Sequence, residues 1–250
     1  MSRLWQSAGG PEAIGPISGT LLRMVESQEQ VATARLVRSL DRQAVLEDML
    51  ESTKPPLPAG TARLGYLLAA PFRYPPLRHG SRFGNRHEPG IFYGSLTVRT
   101  LLAEVAYYRF LFWHDMATPP PGPLTTQHTV FAARYATRQG VQLQAQRFES
   151  YGKALRHRSD YRATQTLGTA MREAGVEAFE YLSARDPEAG VNVGLFSPAA
   201  LADTRPQRQE AWIAETATDA VTFVGGAPRS VHRFTLDAFL VRGRLPRAAA

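Results

Sequence analysis

The stretch LTVRTLLAEVAYYRFLFWHDM, residues 96–116, constrains the fold more than any other part of this chain. It is a helix-length apolar run, and PPPGP at 119–123 ends it because proline cannot continue the helical hydrogen-bond ladder. A turn-rich segment and the short apolar run IFYGS (91–95), a buried-strand pattern, lead into it. Between Pro89 and His114 the only acid is Glu104, set in LLAEVAYY. On a helix its neighbours three and four residues away are Thr100, Leu101, Tyr107 and Tyr108, none of them basic. A core-facing Glu104 therefore needs a partner from another element, since a buried unpaired charge is costly. A Glu104 on the solvent edge needs none. In an apolar cleft it is a carboxylate able to stabilise a cationic transition state.

Around this helix the sequence alternates irregularly between helical and strand patterns. Residues 17–52 carry apolar residues at mixed spacings of three and four, among them Leu21, Leu22, Val25, Val31, Leu36, Val37, Leu40, Val45, Leu46, Met49 and Leu50. They predict helices, with Ser27 and Gln30 as a capping pair for the second and KPPLPAG (54–60) as the stop. RLGYLLAAPFRY (63–74) reads as a strand meeting Pro71, and LRHGSRFGNRHEPG (77–90) as a long loop. LTTQHTVFAARYAT and VQLQAQRF read as two strands turning at Gln139-Gly140. Residues 158–175 read as a helix with Asp160 at its N-cap and Gly175 as its stop. VEAFEYLS (176–183) and VNVGLFSP (191–198) read as strands, and AWIAETATDAVTFVGG (211–226) and SVHRFTLDAFLVRG (230–243) as a closing strand pair with a frayed tail, RGRLPRAAA. This order does not fit a doubly wound parallel sheet. It predicts an α+β fold with a mixed or antiparallel β core, flanking helices and an N-terminal helical lead-in over 1–58, ahead of a unit over 59–250, all in one compact body.

Of the 250 residues 44% are hydrophobic, enough for a sizeable core. There is no cysteine, which excludes disulfides, thiolate nucleophiles and cysteine-based zinc sites. The longest apolar stretch, GYLLAAPF (65–72), falls far short of the roughly 20 residues a membrane span needs, and the N-terminus lacks the apolar core of a signal peptide. The expectation is a soluble cytoplasmic protein. The net charge is +7 and only Lys54 and Lys153 are lysines, so the excess is almost all arginine. A GC-rich genome explains this blandly; a phosphate-bearing substrate, a polyanion or an acidic protein partner explains it functionally.

Three further segments offer chemistry. The 78–88 loop places Arg78, His79, Arg82, Arg86 and His87 among glycines, a backbone and side-chain set suited to an anion, though a solvated basic loop has the same composition. Tyr93, in IFYGS, can be core or can stack on a flat ring. EYLSARDPEAGVNVGLFSP (180–198) puts Ser183, Arg185, Asp186 and Asn192 at a strand end, where they can line a cleft or close a turn. RFESYGKALRHRSDYR (147–162) mixes cations and aromatics, as a nucleic-acid patch does, but no helix-turn-helix, zinc finger or RNA-recognition signature accompanies it. No GxxxxGK[ST], no GxGxxG after a strand and no GxSxG is present, and the six histidines show no ligand spacing with a nearby acid, so no metal is expected.

The order of these residues is more specific than any one of them. Arg82-Phe83, then Gly90-Ile91-Phe92-Tyr93, then Leu102-Ala103-Glu104, then Tyr181-Leu182-Ser183-Ala184-Arg185, with VNVGLFSP after them, resembles the RES domain family over roughly residues 25–225. The resemblance implies an ADP-ribosyltransferase-like fold and the toxin of a RES–Xre toxin–antitoxin pair, which degrades NAD by phosphorolysis or hydrolysis. It implies Arg82, Glu104 and Ser183 as the name-giving three, with Arg82 favoured over Arg86 because an aromatic residue follows it. Tyr93, Arg86, Arg185 and Asn192 are the implied NAD-binding residues, with Ser183 reaching the carboxamide or a ribose hydroxyl. NAD is then the substrate, inorganic phosphate a possible co-substrate, and an Xre-type antitoxin the partner. Nucleic acid is met only through that antitoxin, no membrane is involved, and a homodimer is compatible. Transfer of ADP-ribose to a protein or nucleotide, and a non-catalytic nucleic-acid-binding protein, are the alternatives.

Overall fold

The computed structural model describes residues 2–27, 39–74 and 78–247. Along the chain run α1 (Arg3–Ser7), β1 (Gly15–Glu26), α2 (Leu40–Thr53), α3 (Tyr66–Arg73), β2 (Phe92–Ser95), α4 (Val98–Asp115), β3 (Leu124–Gln142), α5 (Gly152–Leu155), α6 (Arg162–Glu173), β4 (Ala178–Leu182), β5 (Val191–Leu195), β6 (Arg208–Thr216), β7 (Ala220–Gly225) and β8 (Ser230–Thr235). The architecture is α+β, as the irregular order of helical and strand patterns predicts. Among the described residues, no helix is long and apolar enough to cross a membrane.

The strands form one eight-stranded sheet in the order β1-β2-β5-β4-β3-β6-β7-β8, with β1 also pairing β3. Every pairing is antiparallel except β3 with β4. The first five strands in that order therefore close on themselves, and β6 to β8 continue outward from β3. The closure is uneven. β1 follows β3 from Gly15 opposite Gly140 to Glu26 opposite His128, but it meets β2 only where Leu22 faces Ser95. Past that point β1 and β2 part, and Arg23 Nη1 donates to the Tyr93 carbonyl at 2.7 Å, a backbone acceptor that the parted strands leave to a side chain.

Helix α4 lies across this region. Thr97 caps it through an Oγ1 that accepts the Thr100 amide at 3.2 Å, and it buries Leu102, Ala103, Ala106 and Phe110 against a cluster that includes Leu22, Val130 and Trp212. The 78–90 loop is irregular, as expected, yet firmly held. Phe83 is fully buried, with the Phe179 and Tyr181 rings edge-on at 4.7 and 4.8 Å. Gly168 of α6 makes room for it, since a Cβ there would lie 1.8 Å from the Phe83 carbonyl oxygen.

Several local expectations give way to tertiary structure. Residues 15–26 are a strand rather than the start of a helix. Ile17, Leu21 and Val25 recur every four residues, a spacing that suits a strand as well as a helix, and they pack on one side while Leu22 and Met24 pack on the other. Helix α2 does form, capped by Ser39; the Ser27–Gln30 capping pair and the apolar positions Val31, Leu36 and Val37 reach outside the described residues. RLGYLLAAPFRY holds a helix, α3, because Leu68, Ala69 and Phe72 face the core on a helical period even with Pro71 inside. β3 runs straight through Gln139-Gly140. Gly140 serves close approach rather than a turn, since a Cβ there would sit 2.2 Å from Ile17 Cγ1 on β1. The stretch after Gln142 therefore makes no second strand; residues 146–151 form a short 3-10 turn. Asp160 sits one residue before the Tyr161 cap position, its Oδ1 accepting the Arg162 amide, while Gly175 ends α6 at φ +78°. The closing segment is three strands, and its tail is pinned: Tyr107 Oη donates to the Pro246 carbonyl at 2.5 Å, with residues 248–250 outside the described set.

Two measurements check this packing. Gly168→Ala should cost about 1–3 kcal/mol or more in denaturant unfolding, because the Phe83 carbonyl cannot move aside, whereas Gly152→Ala, with open space around it, should change stability by less than about 1 kcal/mol. His128 is buried, and burial first, with the Arg109 charge second, lowers its pKa to about 4. The unfolded chain thus binds this proton first as pH falls from about 6.5. Thermal stability should drop across that window, and His128→Gln should flatten the drop.

Candidate active site

The parting of β1 and β2 opens a cleft of about 320 Å³ under α4. Arg23 and Met24 of β1 and Tyr93 to Ser95 of β2 form its base. Glu104, Val105 and Tyr108 of α4 close one side, and Ser81, Arg82 and Tyr161 the other. Among the described residues, Glu104 is the only carboxylate lining it.

Glu104 has the partners that its helix cannot supply. Ser183 Oγ donates to Glu104 Oε1 at 2.6 Å and Asn192 Nδ2 donates to the same oxygen at 2.7 Å. No described residue donates to Oε2. Each donor is itself fixed. Asn192 Oδ1 accepts from Ser95 Oγ at 2.6 Å. Ser183, 2% exposed, accepts the amides of Arg185 at 3.0 Å and Asp186 at 2.9 Å. With its proton given to Glu104 and its oxygen holding two amides, Ser183 has no capacity left for a carboxamide or a ribose hydroxyl. Its hydroxyl links the carboxylate to the 183–190 loop. The loop that carries it is tied to α4 a second time, where Thr100 Oγ1 donates to Asp186 Oδ2 at 2.9 Å.

Arg82 enters the cleft across the Tyr161 ring, its guanidinium carbon 4.5 Å from the ring centre, and Nη1 donates to the His157 carbonyl at 2.8 Å. Burial opposes its charge, but the attraction of Tyr161, Glu104 and neighbouring phenols outweighs that and lifts its pKa above the ordinary value. Behind it, Arg185 lies 3.4 Å over the Tyr107 ring and donates to the Arg158 carbonyl at 2.6 Å and to Tyr161 Oη at 3.1 Å. Arg185 thus braces the tyrosine on which Arg82 rests. At the base of the cleft burial lowers the Arg23 guanidinium to about 10, which leaves it cationic at neutral pH.

The Tyr93 hydroxyl is occupied within the protein. It accepts the Phe83 amide at 3.1 Å and shares a hydrogen bond with Ser81 Oγ at 3.0 Å, and burial pushes its pKa up to about 12. What Tyr93 offers the cleft is its ring.

The sequence-expected residues therefore separate into groups. Arg82, Tyr93, Glu104 and Asn192 line the cleft; Ser183 supports Glu104; Arg185 stands behind Tyr161. Arg86 is exposed, outside the cleft lining, with Nε donating to His87 Nε2 at 2.7 Å. The loop supplies one arginine to the site rather than a cradle of several. Arg23 and Tyr161 also line the cleft, as do Tyr108, marked in the sequence only as a neighbour of Glu104, and Tyr181, marked only as part of a motif. Arg23 lies in a stretch whose spacing reads as helix, and nothing local marks it. The basic 147–162 segment commits part of its charge to the protein itself, with Arg147 on the Gly9 carbonyl and Arg162 on Asp160. Among the described residues no group of three or more His, Cys, Asp or Glu is placed to hold a metal ion.

A family model described as the RES domain matches residues 58–216. No curated protein matches the chain. Among solved structures, the chain is similar to the M. tuberculosis MbcT–MbcA toxin–antitoxin complex, at 13% identity and a TM-score of 0.46, covering 82% of this chain and 90% of that one.

Ser183→Ala tests the support under Glu104. It leaves two buried amides and a carboxylate oxygen short of a partner, so unfolding free energy should fall by about 1–3 kcal/mol. A change within error would mean that Ser183 does not hold the loop.

Proposed function

Because the chain belongs to the RES domain family, we propose that it is the toxin of a bacterial toxin–antitoxin pair and that it breaks the nicotinamide–ribose bond of NAD. The observation that carries this reading is the geometry of Glu104: one oxygen held by Ser183 and Asn192, no described donor on the other, in a cleft flanked by the cationic Arg82 and Arg23.

The chemistry follows from the charges. As the C–N bond lengthens, its electron pair leaves with nicotinamide, which becomes neutral, and positive charge develops on the ribose. A fixed carboxylate in a cleft of low polarity stabilises that charge without reorganising. Tyr93 presents its ring to the nicotinamide or the ribose face, its hydroxyl being occupied. The arginines face the pyrophosphate, whose oxygens guanidinium groups bind well. Water or inorganic phosphate then bonds to the ribose carbon. Water yields ADP-ribose and releases a proton; phosphate yields the ADP-ribose phosphate ester. Ser183, Asn192 and Arg185 act as positioning residues in this scheme.

The catalytic unit proposed is 59–250, with 1–58 contributing β1 and its Arg23 to the same sheet. The proposed partner is an Xre-type antitoxin, the proposed setting the cytoplasm. The net charge of +7 suits an acidic partner surface, an attraction that should weaken as salt rises.

NAD loss by the purified protein, followed with and without inorganic phosphate, tests the reading. Loss only with phosphate identifies phosphorolysis, and loss without it hydrolysis. Glu104→Gln keeps the shape and removes the charge, and it should slow NAD loss by at least about 100-fold while leaving thermal unfolding cooperative. Near-normal turnover in that variant would remove Glu104 from the mechanism. A wild-type protein that spares NAD but labels a macromolecule with ADP-ribose would be a transferase.

A further inference from the structure

A second groove, of about 840 Å³, begins where the cleft ends. The two share Arg23 and Met24. From there the groove runs between the end of β1 and helix α3, with Tyr66, Leu67, Ala70 and Tyr74 on the helix side and Ser27, Thr129 and Gln209 on the strand side. Its walls differ in chemistry. The helix side presents two large aromatic residues with much of their surface in solvent, Tyr66 at 63% and Tyr74 at 41% exposed, on either side of the small Ala70. The strand side is polar, with Glu26 beside Ser27 and with Ser27 Oγ and Thr129 Oγ1 2.7 Å apart. At the junction Arg23 spends Nη1 on the Tyr93 carbonyl, while its buried Nε has no hydrogen-bond partner among the described residues.

This inference rests on the reading of the cleft as an NAD site. A cleft of about 320 Å³ lies at the small end of ligand cavities, which run to about 1,000 Å³. It suits the nicotinamide-ribose half, and the substrate must leave it through an opening. The opening toward the groove passes a cation, then reaches an aromatic wall facing hydroxyl and amide groups and the Glu26 carboxylate, an acceptor for sugar hydroxyls. A dinucleotide has that same order of parts: a pyrophosphate, then a flat base and a sugar bearing hydroxyls. We propose that the groove beside α3 binds the adenosine half of NAD, with the base against Tyr66 and Tyr74, the ribose toward Ser27, Thr129 and Gln209, and Arg23 on the pyrophosphate between the two sites. α3 then sets substrate choice, favouring the dinucleotide over a mononucleotide that carries the same scissile bond.

Two measurements test this. The first is binding of ADP, which carries the adenosine half and no scissile bond, by titration calorimetry. The second is the ratio of kcat/KM for NAD over nicotinamide mononucleotide. Ala70→Trp fills the groove and Tyr66→Ala, at an exposed position, removes one ring without disturbing the core. Tyr66→Ala should weaken ADP binding by about tenfold, as loss of one base-stacking aromatic does, and Ala70→Trp should abolish it. Both should lower the NAD-over-mononucleotide ratio. ADP binding and a ratio left unchanged by both variants would overturn the proposal, as would a wild-type protein that does not bind ADP. A wild-type protein that binds ADP, loses it on Ala70→Trp and yet cleaves neither nucleotide would keep the groove and discard the cleavage reading.

Discussion

The hydrogen bonds that Ser183 and Asn192 give to Glu104 organise the centre of this protein. A carboxylate on the inner side of a mostly apolar helix is a cost that α4 cannot relieve from its own turns, because the residues one turn away are uncharged. Two neutral donors on one oxygen hold it without cancelling its charge, which an arginine in their place would do. The donors come from β5 and from the end of β4, so the carboxylate, the sheet and the 183–190 loop settle together. Removing the loop's serine would disturb the fold and the site at once, since its hydroxyl also organises two backbone amides.

The site's position follows from how the sheet closes. Were β1 and β2 paired throughout, no cleft would exist below α4. They share one paired position, and beyond it a side chain, Arg23, takes the carbonyl that a strand neighbour would otherwise satisfy. Gly94 contributes to this seam, because a Cβ there would press on Leu21 and the Leu22 carbonyl. The same opening brings a cation, an aromatic ring and a carboxylate into one small volume. The cations are kept apart from Glu104 by being tied elsewhere, Arg82 to a carbonyl and the Tyr161 face, Arg23 to Tyr93. A ligand carrying both negative and developing positive charge would meet each sign where it needs it.

Much of this was legible residue by residue. The isolation of Glu104, the strand–helix step from Phe92 to Asp115, the strand ending at Ser183 and the stop at Gly175 all depend on local pattern, and local pattern is what a sequence displays. Two of the misread elements share one feature: a spacing that two structures satisfy equally. Ile17, Leu21 and Val25 fit a helix face and a strand face alike. A Gly after Gln139 fits a turn and also a crossing of close-packed strands. In each case the neighbour across the sheet decides, and that neighbour is more than a hundred residues away, Gly140 against Ile17 and Ala133 against Leu21.

The sequence alone therefore determined an α+β chain without thiol chemistry, a helix carrying one isolated acid, and the order of arginine, tyrosine, glutamate and serine along the chain. Tertiary structure decided which of those groups face the cleft. It placed Arg82 in the cleft lining and Arg86 outside it, occupied the Tyr93 hydroxyl with Ser81 and the Phe83 amide, and set the Ser183 hydroxyl on Glu104. It also recruited Arg23 from a strand with no local mark. The reason is physical: charge and residue type are properties of one position, whereas burial, orientation and spare hydrogen-bonding capacity depend on what packs against it.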